Sequence, residues 1–496
     1  MFAKNIHPYR IALLTLVAAC CLTAADAPPF EGFLPGNLVV SRSVYTGTAS
    51  TVTVGQPLPP NCPATATCGK PATNDGTYPN VFNNAAPDGS FGVTSPIFLD
   101  QLTPEGTRIN TMPVPTNLLV TSFSSKSEIA LNLSPDGQVV TFMGYPAPVN
   151  TLDVSNSNTP GVIDPTNPAS GTYYRAVAQV YASGGIEITN TNGYSGNNGR
   201  AAILADGYFY MAGNSNNGGG TPANVVASAG VQLAVPGQDS GTAPVEIGNF
   251  SITQVNDPST GSPYAADKLG KDNNFRGLTI FNNTLYTTKG SGSNGINTVY
   301  QVGFSGVLPS LGTAPGTPIT VLPGFPTTLA KNAGAANPFG LFFANQDTLY
   351  VSDEGDGTTT NAATSKIAGL QKWVRVNGVW NLAYVLQNGL NLGQQYSLPN
   401  YPTALNPATD GLRNITGRVN RDGTVTIWAI TSTISTSGDQ GADPNKLVSV
   451  TDELANTDPA IAAYEPFTTL MSAGFGEVLR GVSFTPGTHS PHHHAR

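Results

Sequence analysis

The sequence predicts an all-β chain folded as a six-bladed β-propeller of four-stranded antiparallel blades. Three observations carry this expectation. A unit made of a short apolar run, a turn and a second β-rich run returns about every 70 residues, the signature of a repeat architecture. Charged residues make up only 10% of the 496, against about 25% in an average soluble domain, while Gly (55) and Pro (40) are plentiful, which suits short strands joined by ordered turns. The last copy of the unit starts at Arg480 and leaves only sixteen residues behind it, too few for a sheet, so strands from elsewhere must complete it.

In chain order, residues 1–25 have the layout of a secretory signal: Lys4 and Arg10, the apolar stretch from Ile11 to Leu22, then Thr23-Ala24-Ala25, after which cleavage is expected. The apolar stretch is shorter than the roughly 20 residues that span a bilayer, and no other segment qualifies as transmembrane. Val17-Ala18-Ala19-Cys20 also matches a lipobox, so a lipoprotein anchored at Cys20 is the alternative to a freely secreted, extracellular protein. Loss of the segment removes two basic residues and takes the formal net charge from −8 to −10, which argues against nucleic acid as a partner. Residues 26–486 are expected to form a single propeller domain and 487–496 a disordered His-rich tail. Cys62 and Cys68 are expected to close a small disulfide loop, because a metal site there would lack a neighbouring histidine or acid.

The repeats start at Lys126, Arg200, Arg276, Phe339, Arg413 and Arg480, at intervals of 74, 76, 63, 74 and 67 residues, which gives six blades. The unit at Phe339 is the clearest, with strand-like runs over 340–344, 348–351, 369–376 and 379–386. Its last two runs meet at Asn377-Gly378, a strong hairpin signal. For the closing blade, 481–485 supplies the innermost strand and the N-terminal part supplies 37–42, 97–101 and 108–113, so that the chain ends hold the ring shut by pairing. Seven blades, or β-sandwich domains, are the alternative arrangements. In a propeller the second-to-third strand connection returns to the face where the chain enters each blade. The longest such connections here are 43–95, 143–173, 352–368 and 431–444, and they are expected to shape a binding surface.

Arg200, Arg276, Arg413 and Arg480 precede inner strands, with Lys126 in the corresponding place of another blade, so together they would ring one mouth of the channel. Guanidinium forks suit carboxylate, sulfate or phosphate; recurrence in the repeat equally suits fastening of neighbouring blades through backbone carbonyls. Arg42, Lys289, Asp353 and Glu354 follow second strands and are expected on the same face. Asp353, Glu354 and Asp356 place three carboxylates within four residues, a weak candidate for Ca²⁺ that lacks the order of an EF-hand loop and reads more readily as a solvated acidic turn. Asp136-Gly137, Asp206-Gly207 and Asp422-Gly423 read as hairpin turns.

Histidine is confined to His7, His489, His492, His493 and His494, which argues against a histidine-dependent hydrolase triad in the propeller body. Catalysis would then rest on Asp, Glu, Tyr, Lys or Arg, with Glu128 on an inner strand the first acid to inspect. Trp373, Arg375 and Trp380 fall on one sheet face, which either stacks sugar rings or, the favoured reading, packs against the next blade. Asn132, Asn249, Asn282 and Asn414 match the N-glycosylation pattern.

Leu479-Arg-Gly-Val-Ser-Phe-Thr-Pro, Gly411-Leu-Arg-Asn-Ile-Thr-Gly and Pro35-Gly-Asn-Leu-Val-Val-Ser-Arg resemble secreted bacterial propeller proteins of the broad NHL-like kind, over most of the mature chain. The resemblance implies a propeller and no settled activity, so it assigns no catalytic residues. The calcium-dependent lactonases of the gluconolactonase-like group are also six-bladed, but their metal-binding acid and asparagine set has no placed counterpart here. The leading expectation is a secreted propeller that binds an extracellular polysaccharide or anionic glycan through its loop-rich face. The alternatives are a carbohydrate- or lactone-active hydrolase or lyase at that face, and a surface protein that self-associates.

Overall fold

A computed structural model of the chain describes residues 30–62, 69–124, 129–169, 171–216 and 223–489. Ala25 and Cys20 of the predicted signal, Cys68, Lys126, Glu128 and the histidines 492–494 lie outside the described residues. Six antiparallel four-stranded sheets form the blades. From the innermost strand outward, the first blade contains Asn132–Leu133, Val139–Gly144, Arg175–Tyr181 and Ile186–Thr191, and the second Gly199–Ala205, Tyr208–Gly213, Gly230–Ala234 and Val245–Glu246. The third contains Leu278–Phe281, Thr284–Lys289, Thr298–Val302 and Ile319–Val321, and the fourth Pro338–Asn345, Thr348–Asp353, Gly369–Val376 and Val379–Leu386. The fifth contains Ala408–Val419, Thr424–Ile434, Lys446–Glu453 and Thr468–Ser472.

The sixth blade joins the two ends of the chain. Its inner strand is Glu477–Phe484, followed by Leu38–Val44, Ile97–Leu102 and Arg108–Pro113, with Val40 opposite Val482 and Leu99 opposite Ser41. The expected pairing of the ends is therefore present, and the sandwich and seven-blade alternatives are not. The strand-like runs read from the sequence in the Phe339 unit and the closing blade agree with the strands to within a few residues.

Alternation of side chains explains why the ring needs no single central core. Leu349 and Val351 face the seam between the third and fourth blades, whereas Tyr350 between them faces the seam to the fifth. Buried apolar clusters fill the other seams in the same way, for example Met143, Val177, Ala202 and Phe209 between the first and second blades. Trp373 and Trp380 are buried in the third-to-fourth seam, where Phe325 stacks on Trp373 at 4.0 Å. Packing is thus what their shared face does.

Hydrogen bonds recur at the seams. A second-strand hydroxyl donates to an inner carbonyl of the next blade in Ser41 to Ile129 (2.7 Å), Thr141 to Ala202 (2.6 Å), Thr288 to Phe339 (2.7 Å) and Ser352 to Arg413. Between the fifth and sixth blades Asn445 both donates to the Leu479 carbonyl and accepts from its N–H, each at 2.8 Å. The inner strands approach so closely that a Cβ at Gly277 would lie 2.0 Å from the Phe339 carbonyl, and one at Gly481 would lie 2.5 Å from that of Ile129. At these two repeat starts glycine is a requirement of space.

The long connection after Val44 carries more structure than its sequence showed. It pairs Pro57–Leu58 with Lys70–Pro71, turns through a 3₁₀ helix at Asn80–Ala85, and sends Val93–Ser95 to pair with Thr121–Phe123. Tyr45, Tyr78, Phe82, Phe91 and Phe123 give this cap its own core. The Tyr78 hydroxyl reaches across the face to the Ala442 carbonyl of the fifth blade at 2.8 Å.

Candidate functional site

Blades entered from one side bring repeat arginines and second-to-third connections to one face, and there Arg200, Arg276 and several of the connections enclose a cavity of 380 Å³. The cap contributes Gly89 and Phe91 to its lining, and the blades contribute Asn198, Asn214, Asn274, Ser291 and Gln440. Its charged lining residues are Arg200, Arg276 and Asp439, an excess of one positive charge. Amides and hydroxyls supply most of the remaining polar lining, so the cavity offers donors and acceptors in several directions.

The predicted arginine ring is brought together only in part. Arg276 and Arg413 both bind Glu354: the first through Nη1, the second through Nε at 2.9 Å. Arg413 also donates to both oxygens of Asp439 at 3.2 Å. Glu354 thereby ties the third, fourth and fifth blades together. Arg200 donates to the Asn274 side chain and to the Phe275 carbonyl at 3.1 Å, which joins the second blade to the segment entering the third. That is the carbonyl fastening expected of the repeat; at Arg276 and Arg413 a carboxylate does it instead. Arg480 is buried in the closing blade, away from the cavity lining.

Burial lowers the Arg276 guanidinium; Glu354 pulls it back up and Arg413 presses it down. Lys289 is fully buried behind the cavity, donating to the Ser291 carbonyl (2.9 Å) and the Asn297 amide oxygen (3.0 Å). Burial lowers it to about 7, with Asp272 opposing that shift. Burial lowers Lys271 likewise to about 7; its ammonium donates to the carbonyls of Ser215 and Asn216.

Asp353, Glu354 and Asp356 diverge, which does not assemble the weak Ca²⁺ candidate, and the favoured solvated acidic turn is not what forms either, since Asp353 and Glu354 are buried. Asp353 accepts from the N–H groups of Asn337 (2.7 Å) and Gly355 (3.0 Å), Glu354 turns to the arginines, and Asp356 caps Thr358 and Asn361. Successive side chains of an extended chain point to opposite sides, which separates the first two. Among the described residues no group of three His, Cys, Asp or Glu is placed to hold a metal ion. Burial raises Asp353 to about 7 against the pull of its two N–H donors. Asp410, bonded to the Gly357 N–H at 2.9 Å, is raised to about 7 by the same cause.

Arg42 is held by two carboxylates. Within the closing blade it donates to Asp100 at 2.6 Å and to Glu477 at 2.5 Å. Cys62 is buried, and its expected partner is outside the described residues.

Sequence reasoning missed two buried groups. Asp88 of the cap faces Asp153 of the first blade, and burial raises both. Lys372, at the fourth-to-fifth seam, donates to Asp452 (2.8 Å) and Tyr384 (2.9 Å), while the Tyr350 and Tyr384 hydroxyls also bind Asp452. Neither group has a local motif, since the partners are 65 and 80 residues apart.

The opposite face opens into the channel itself, a cavity of 720 Å³ walled by the inner strands. Leu204, Thr279, Thr416 and Ser483 are among its lining, and its charged lining residues are Asp136, Glu187 and Asp206. Among the described residues no helix is long and apolar enough to cross a membrane.

No family model and no curated protein matches the chain. Among solved structures it is similar to a chain of a nidogen/laminin complex, with 11% identity over 80% of this chain and 98% of that one, at a TM-score of 0.36. It is also similar to the hemagglutinin-neuraminidase ectodomain of parainfluenza virus 5, with 11% identity over 73% and 76%, again at 0.36. The N-terminal domain of Nup159 matches at 6% identity over 79% and 86%, at 0.30. Likeness of this degree assigns neither family nor activity. The propeller architecture rests on the chain's own sheet topology.

Proposed function

We propose that the protein is a secreted propeller that binds a polyhydroxylated extracellular polymer, a polysaccharide, on its loop-rich face, with one unit of the polymer seated in the cavity at the mouth. The signal-like N-terminal segment and the low charge favour secretion. The single observation that carries the reading is the lining: amide and hydroxyl groups on several elements converge on a space of 380 Å³, within the range of about 300–1,000 Å³ typical of small-ligand sites. Binding is favoured over hydrolysis because Asp439 is the one carboxylate among the described lining residues and is itself held by Arg413, where glycosidic cleavage calls for two.

Retention of the purified protein on a panel of insoluble and immobilised polysaccharides tests the reading. Gly89 lines the cavity with open space around it and no positive φ, so Gly89→Trp should fill the mouth while leaving the fold intact. The expected result is retention of the natural protein and its loss in the variant. Equal retention of both would place binding elsewhere, and no retention on any polymer would reject the proposal.

A further inference from the structure

The cavity contains two side chains that are almost wholly buried and incompletely used. Arg276 is 4% exposed, yet its Nε makes no hydrogen bond. Its Nη1 is taken by Glu354, and its Nη2 has no partner among the described residues. What remains is the Nε–Nη2 edge, the pair of parallel N–H groups that matches a planar carboxylate. Asn214 is 3% exposed, and its side-chain oxygen accepts nothing. Buried polar groups are nearly always bonded, because an idle donor or acceptor away from water is costly. Here the residues that carry an idle donor and an idle acceptor, Arg276 and Asn214, line the same cavity.

The two deficits are complementary. The guanidinium edge requires an anion, and the amide oxygen requires a donor such as a hydroxyl. The charge count limits the anion, since Arg200, Arg276 and Arg413 against Glu354 and Asp439 leave one positive charge to be matched. The fasteners behind the cavity add nothing to that demand, because Arg413 is already shared between Glu354 and Asp439.

We propose that Arg276 and Asn214 form a subsite for a sugar unit that bears a single carboxylate, a uronic acid, with the carboxylate on the free edge of Arg276 and a ring hydroxyl donating to Asn214. The assignment rests on the polysaccharide reading above and names the unit it selects. It also gives Arg276 two simultaneous uses: Nη1 fastens the blades and the opposite edge meets the ligand.

Calorimetric titration with trigalacturonic acid and with its methyl ester, which keeps every ring hydroxyl and removes the charge, tests the assignment. The acid should bind about tenfold or more tightly than the ester at low salt, and the difference should shrink as salt rises. Acetate at equal concentration should compete at least about tenfold less well than the trimer, since it offers no hydroxyl to Asn214. In Arg276→Gln the acid and the ester should bind equally. If that variant fails to fold for want of the Glu354 contact, Asn214→Asp gives a second reading: an added negative charge in the mouth should lower affinity for the acid about tenfold and leave the ester within a few-fold. Equal binding of acid and ester by the natural protein would overturn the uronate subsite while leaving polysaccharide binding in place. Equal competition by acetate would reduce it to a general anion site and overturn it too. Binding of neither trimer, with other polysaccharides retained, would reject the subsite alone; loss of all polysaccharide binding would reject both readings.

Discussion

On one face of the ring, adjoining strands are closed by turns such as Asp206-Gly207 and Asn377-Gly378, whose residues sit at φ values of 50°, 78°, 52° and 83°, while on the other face connections of up to tens of residues bury charge. The turns follow from local chemistry, because consecutive positive φ values give the hairpin twist that strands prefer and Asp, Asn and Gly tolerate them. The loop-rich face has no comparable local rule. Glu354 meets Arg276 and Arg413 from 78 and 59 residues away, and Asp88 meets Asp153 through a cap that has its own aromatic core. One face is shaped by the repeat. The other is shaped by what was inserted into it, and there the idle Arg276 edge and Asn214 oxygen are found.

The largest effect on this contrast should come from ending the chain before Glu477. That removes the inner strand of the closing blade, so both faces should lose their order together and cooperative thermal unfolding should vanish. A truncated protein that still unfolds in one sharp transition would show that the pairing of the chain ends is dispensable.

Next comes Glu354→Ala, which leaves two buried guanidinium groups without their shared carboxylate and should cost about 3–5 kcal/mol in denaturant unfolding. A cost below about 1 kcal/mol, typical of an exposed pair, would mean that the loop-rich face is not held together by this bridge.

The pH dependence should be smaller and should belong to the loop-rich face. A carboxyl raised by burial is more readily protonated in the folded state, so the stability contributed by Asp353 and Asp410 is complete below about pH 4 and is lost as pH rises through about 7. Asp88 and Asp153 act in the same direction. A buried lysine lowered to about 7 does the opposite: the contribution of Lys271 and Lys289 is complete above about pH 10 and is lost as pH falls through about 7. Together these groups predict a dip in the melting temperature near neutral pH. Asp353→Asn should flatten the acid side of the dip and Lys289→Met the alkaline side; a profile unchanged by both would contradict this account of the buried charges.

The smallest effect should come from the hairpin face. Gly207 sits at φ +78° with open space around its Cβ position, so Gly207→Ala should cost about 1 kcal/mol through the backbone alone. A much larger loss would reveal packing on that face comparable to the loops.

What the sequence made legible follows the same division. Repeat starts, blade number, the closing blade and the hairpin turns are local or periodic signals, and they could be read from runs such as those after Phe339 and Arg480. The hydroxyls of Ser41, Thr141, Thr288 and Ser352 were also readable in principle, since they recur at like positions of second strands. The pairing of Glu354 was not readable, because an ion pair across seams depends on blade register and leaves no spacing in one chain. Asp353 shows the converse: proximity in sequence suggested one acidic cluster, whereas strand alternation turned Asp353 and Glu354 to different partners. Of the arginines expected at the mouth, Arg200 and Arg276 line it, and only the structure distinguishes the guanidinium edge that is spent from the edge that is idle.

Hydrogen–deuterium exchange of the full protein with and without trigalacturonic acid tests the central claim most directly, that the inserted face binds and the repeat-built face does not. The account predicts slowed exchange in segments 85–91, 197–200 and 274–276 around the cavity, with the turns at 134–137, 206–207 and 282–283 unchanged. Protection confined to those turns and to the channel they open into would contradict it.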